Sequence, residues 1–118
     1  MNIDILMTIF ERIAAREIPA EIIEETETFL AIRDVNPQAP VHVLIVPKRV
    51  IPRLGEAKAE DAAVLGEMLV ASRSIAAKLG VLESGYRVVI NSGRDAGESV
   101  PHLHIHLLAG RHLQWPPG

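Results

Sequence analysis

His102-Leu103-His104-Ile105-His106-Leu107-Leu108 is the stretch whose reading decides the fold. Histidines and aliphatic residues alternate, the period of a β-strand whose successive side chains point to opposite faces. On a strand from Pro101 to Leu108 the three imidazoles share one face, ~6.5–7 Å apart, and Leu103, Ile105 and Leu107 take the other. A fourth histidine, His42, sits inside the aliphatic run Val41-His42-Val43-Leu44-Ile45-Val46. The chain has 5 histidines in 118 residues, and four of them fall in these two apolar segments. Imidazole buried in a sheet is costly unless its nitrogens find partners. Three readings are open at this point. Imidazoles bind zinc. They are also nucleophiles near neutral pH and hold phosphate oxygens. The third reading is a strand with one solvated polar face. On a flat strand the outer two Cα atoms stand ~13 Å apart, wide for a single ion.

The loop before this stretch, Gly93-Arg94-Asp95-Ala96-Gly97-Glu98-Ser99, has glycines that let backbone amides approach an anion. Ser99 adds a hydroxyl donor. Asn91 ends the preceding strand, where it serves a phosphate or a ring nitrogen. Asp34 ends another strand. It either caps the next turn or accepts bonds from a ribose diol.

Working outward, the spacing of Ile9, Phe10, Ile13 and Ala14 predicts a helix from Thr8 to Arg16, stopped by Pro19. Glu21 to Glu25 and Phe29 to Asp34 read as strands joined by Thr26-Glu27-Thr28, a hairpin without a Gly or Asn signal. Val41 to Val46 is a strand ended by Pro47. A long helix from Lys58 to Leu79 carries a core stripe of Leu65, Met68, Ser72, Ile75 and Leu79, with Gly80 as its C′ residue. Tyr86 to Asn91 is a further strand. Strands and helices mix without regular βαβ alternation, which predicts an α+β fold with about five antiparallel strands. The Pro-rich tail Trp115-Pro116-Pro117-Gly118 cannot be helical.

Composition narrows the class. Hydrophobic residues make up 48% of the chain, enough for one core, and the net charge is −3. With no basic run, a nucleic-acid footprint is not expected. There is no cysteine, so disulfides and thiolate zinc sites are excluded. Residues 1–5 lack the basic start of a targeting signal, and no stretch reaches the length of a membrane span. The expectation is one soluble cytoplasmic domain, residues 1–118.

Together these residues resemble the histidine-triad (HIT) superfamily, and within it the Hint branch of purine nucleoside phosphoramidases. The resemblance rests on the triad and on Ile9-Phe10, Arg16-Glu17-Ile18-Pro19-Ala20 and Arg33-Asp34-Val35-Asn36-Pro37-Gln38-Ala39-Pro40. It continues through Val41 to Lys48, Gly85 to Asn91, and the Gly110-Arg111…Trp115-Pro116-Pro117-Gly118 end. The resemblance implies a HIT-like fold with two helices, its sheet continued across a homodimer. It implies cleavage of the P–N bond of AMP-type phosphoramidates through a nucleotidyl-histidine. AMP, GMP and their phosphoramidates are the expected ligands, with no cofactor. His104 would be the nucleophile, His102 would orient it, His42 would extend that relay, and His106 would contact the phosphate oxygens. Ser99 would lie near the leaving group, with Asn91 and the Gly97 backbone beside the phosphate. Asp34 would bind the ribose. Ile9, Phe10, Ile13, Ile18, Val35 and Leu44 would line the base pocket, and Trp115 would reach the partner's site. The alternatives are a nucleotide-binding or interaction protein with little turnover, and a zinc-dependent hydrolase.

Three departures stand out. Glu98 replaces the family's usual Gln, and a carboxylate beside a phosphate repels it unless it turns to solvent or pairs with an incoming amine. Val50 stands where many members have histidine. Thr8 and Glu11 stand where zinc-binding members have a Cys-x-x-Cys pair, so that structural zinc site is not expected.

Overall fold

Two α-helices and five strands form in the computed structural model, which describes residues 7–118. They are α1 (Ile9–Ala14), β1 (Ile22–Glu25), β2 (Phe29–Arg33), β3 (Val41–Pro47), α2 (Ala62–Lys78), β4 (Tyr86–Ile90) and β5 (Ile105–Ala109). The reading of residues 1–5 lies outside the described residues. The strands make one sheet in the order β1-β2-β3-β5-β4, antiparallel at every pairing. This is the expected α+β architecture. The β1–β2 hairpin does without Gly or Asn because the Thr26 hydroxyl accepts the backbone N–H of Phe29 at 3.0 Å and of Thr28 at 3.2 Å. Among the described residues no helix is long and apolar enough to cross a membrane.

Alternation sorts the central strands into two faces. Ala31, Val43, Ile45, Ile105, Leu107 and Ala109 point to one side and pack with Met68, Ala71, Ile75 and Ala76 of α2. Leu30, Ile32, Leu44 and Val46 point to the other and pack with Phe10 and Ile13 of α1. The stripe expected on the long helix is the one that faces the sheet: Met68, Ser72 and Ile75 are buried, with Leu65 and Leu79 partly so. That helix starts at Ala62 rather than Lys58, because Ala59–Asp61 form a 3-10 turn. The Asp61 carboxylate accepts the Lys58 N–H at 2.8 Å and pairs with Arg49. Gly80 follows the C-cap with φ 76°, the left-handed value that ends many helices.

One strand boundary differs. The last strand begins at Ile105, not Pro101. Pro101 has no N–H to give a ladder. The N–H of His102 turns back to the Val100 carbonyl at 2.8 Å, and that of Leu103 goes to the Ile51 carbonyl at 2.6 Å. Two of the three triad histidines therefore precede the strand. The alternation survives the change, since Leu103 still joins Ile105 and Leu107 in the α2-side core.

Candidate active site

The short helix α1 anchors one wall of the site. Six residues make a helix too short to stand alone, and Thr8 caps it in a capping box with Glu11. The same Thr8 hydroxyl lies 2.6 Å from Nδ1 of His102. The other ring nitrogen of His102, Nε2, lies 2.7 Å from the Pro47 carbonyl. A carbonyl only accepts, so Nε2 carries the proton and Nδ1 accepts from Thr8. The ring is 1% exposed and stands edge-on to Phe10. Burial holds its pKa below the usual histidine value.

His104 is oriented by a backbone atom. Its Nδ1 lies 2.8 Å from the carbonyl oxygen of His102. By the same logic Nδ1 donates, and Nε2 is left with its lone pair. His102 is the residue expected to orient His104; its backbone carbonyl contacts the His104 ring, while the His102 ring itself faces Thr8 and Pro47. The relay from His42 also runs elsewhere than expected. His42 Nδ1 accepts the Gln38 N–H at 3.0 Å, so its Nε2 donates to Nδ1 of His106 at 2.9 Å. His106 then presents its own Nε2–H. The β3–β5 register explains the pairing: Leu44 stands opposite His106 and His42 opposite Leu108, so His42 and His106 are diagonal neighbours on one face.

Burial also sets the charge of these groups. His42 is held below the ordinary histidine pKa by desolvation, only partly offset by Asp34. His106 is pushed down to about 4, first by desolvation and then by positive charge on His104 or His42. Both are neutral at pH 7. Asp34 divides its work. Oδ1 accepts the Asn36 N–H at 2.8 Å, capping the turn, while Oδ2 lies 3.4 Å from His42 Nε2. Among the described residues, Asp34, His42 and His106 are the group whose ligand atoms, within 4.8 Å of one another, could hold a metal ion. The expected zinc alternative named His102, His104 and His106 instead.

These groups open on a cleft of about 310 Å³, within the usual size of a small-molecule site. Ile9, Phe10, Ile13, Ile18, Val35 and Leu44 all line it, beside Asp34, Ser99, His104 and His106. Val35 lies at the rim, 93% exposed. Asn91 and Gly97 do not line the cleft. Asn91 follows β4 directly, where Ile90 pairs Ile105, so it comes level with His104. Gly97 takes a left-handed φ of 81° in the loop. Trp115 is 79% exposed, lies 6.0 Å from Arg87 and does not line the cleft of its own chain.

Glu98 takes a third course, neither turned to solvent nor left facing the anion. Its two oxygens accept from Nε and Nη2 of Arg53 at 2.9 and 3.0 Å. Sequence reasoning missed Arg53, Thr8 and the Pro47 carbonyl. Thr8-x-x-Glu11 is a legible capping signature, but its contact with His102 spans 94 positions.

The family model for the HIT domain matches residues 15–113. This chain belongs to the histidine-triad family. An uncharacterized HIT-like protein of Synechococcus elongatus is 57% identical over 111 residues, covering 94% of this chain and 96% of the relative. The crystal structure of a HIT family hydrolase from Legionella pneumophila superposes with a TM-score of 0.92 at 41% identity, covering 95% of this chain and all of that one. A histidine triad nucleotide-binding protein from Candida albicans superposes with a TM-score of 0.79 at 30% identity, covering 93% and 83%. The HIT chain described here thus has the fold of a HIT family hydrolase and of a histidine triad nucleotide-binding protein.

Proposed function

We propose that this HIT protein is a nucleotide-binding hydrolase of the Hint type, cleaving the P–N bond of purine nucleoside 5′-phosphoramidates. The observation that carries the reading is the 2.8 Å bond from His104 Nδ1 to the His102 carbonyl, which makes Nε2 the lone-pair nitrogen of the neutral ring. Nε2 attacks phosphorus, the P–N bond breaks, and the amine leaves with a proton taken up from solvent at the open cleft. The ring becomes cationic as it bonds phosphorus, and the His102 carbonyl stabilises that charge. Water then attacks the same phosphorus, the phosphorus–histidine bond breaks, and the nucleotide departs. The water's proton restores the balance. The neutral His106, held by His42, donates Nε2–H to a phosphate oxygen. Ser99 stands near the leaving group, with Asn91 and Gly97 behind the phosphate. The apolar wall Ile9, Phe10, Ile13, Ile18 and Leu44 takes the base, and Asp34 Oδ2 takes the ribose.

Nothing in these steps requires a metal. An ion on Asp34, His42 and His106 would have to break the 2.9 Å His42–His106 bond. Incubation with adenosine phosphoramidate after exhaustive chelation tests the reading. AMP release supports it. Loss of activity restored by zinc favours the metal alternative. AMP binding without release leaves a binding protein with little turnover.

The active form is a homodimer with one continuous sheet. Two observations support this: β4 is an edge strand, and Val70 and Trp115 are 72% and 79% exposed. Trp115 then completes the partner's cleft. Removing residues 114–118 should shift substrate preference more than stability. A strictly monomeric chain at micromolar concentration would refute the arrangement.

A further inference from the structure

The loop that carries Ser99 into the cleft is closed by Glu98 in two ways. The Glu98 N–H donates to the Gly93 carbonyl at 3.2 Å, and the Gly93 N–H donates to Glu98 Oε1 at 2.9 Å. Arg53 then covers the carboxylate with a fork of two bonds. The Glu98 side chain is only 13% exposed, so solvent screens it poorly. Its neighbour Ser99 lines the cleft with His104 and His106. The Arg53 guanidinium, and after it the Gly93 N–H, hold the Glu98 carboxyl below its ordinary range. Glu98 is the immediate neighbour of a residue that shares the cleft wall with His104 and His106. That matters here because His42, His102 and His106 are all held neutral by burial. A phosphate arriving among neutral imidazoles would feel an unpaired carboxylate strongly.

We propose that Arg53 is a positioning residue for the phosphate site: it cancels the charge of Glu98 and so lets this chain carry a carboxylate beside the anion it binds. The inference rests on the nucleotide reading above. It makes Glu98 without Arg53 worse tolerated than the pair together or neither of them. Arg53 also pairs with Glu56, which keeps its guanidinium in place when Glu98 is neutralised.

The test is AMP affinity, measured by calorimetry on the full chain and on Arg53→Gln, Glu98→Gln, the double variant and Arg53→Lys. Thermal melts check that each is folded. Arg53→Gln should weaken AMP by about three- to tenfold, and molar salt should shrink the loss. Glu98→Gln and Arg53→Lys should change it little, because neither leaves a bare carboxylate. The double variant should recover the original affinity. A double variant as weak as Arg53→Gln would overturn the proposal, since Arg53 would then grip phosphate itself. So would equal losses in the two single variants, which would mean that the pair merely ties down the loop. An unsubstituted chain that binds no AMP would sink the nucleotide reading and this inference with it.

Discussion

The two faces of the central strands are built from the same segments and closed by very different lids. On one, the 17-residue α2 covers Val43, Ile45, Ile105 and Leu107 with aliphatic side chains. Its buried hydroxyl, Ser72, is satisfied within its own helix by the Leu69 carbonyl at 2.6 Å. On the other, the 6-residue α1 covers a smaller cluster, and all four strand-associated histidines lie on that side. A long lid with a hydrocarbon interior supplies stability. A short lid leaves a cleft, and its buried imidazoles are tolerated because each nitrogen inside has a partner. One face holds the sheet while the other is free to do chemistry.

Adjacent residues on opposite faces give the sharpest way to break this division. His104→Ala should cut turnover by at least roughly 10³-fold and leave the melting temperature nearly unchanged. Ile105→Ala should cost about 2–5 kcal/mol in denaturant titration and leave the folded fraction active. Equal losses of activity and stability in both variants would erase the distinction. Thr8 sits between the two roles, capping α1 and donating to His102. Thr8→Val should lower stability by about 1–2 kcal/mol and slow the reaction, with both restored by Thr8→Ser. A Val variant that melts earlier but turns over normally would assign Thr8 to the helix alone.

The smallest effect is expected from pH. The folded protein holds His106 at a pKa of about 4, and His42 and His102 are lowered as well. The unfolded chain takes up protons on these histidines below their ordinary value of about 6.5. Between about pH 4 and 6.5 the unfolded state therefore binds more protons, and stability must rise with pH across that window. Urea midpoints should fall from pH 7 to pH 5, and His106→Asn should flatten the slope. Equal midpoints at the two pH values would mean that the imidazoles are not held neutral.

Much of this was legible because alternation is a local signal. The odd and even residues of His102 to Leu108 went to the faces expected, as did the helical stripe of Met68, Ser72 and Ile75. The strand start was not legible, because the Ile51 carbonyl that takes the Leu103 N–H comes from a distant segment. The partner of His42 depended on the β3–β5 register, which joins residues 64 apart. Glu98 was flagged as a charge beside a phosphate, but its counter-ion lies 45 positions away. Residue identity announces such groups; only the folded chain says what each of them touches.

The central claim is that His104 takes the nucleotide. Mixing the chain with adenosine phosphoramidate, quenching within the first turnovers and measuring intact mass tests it directly. One adenylyl group per chain, located on the peptide containing His104 and absent from His104→Ala, is the expected result. Steady AMP release from the unsubstituted chain with no adduct at any quench time, and undiminished release from His104→Ala, would contradict it.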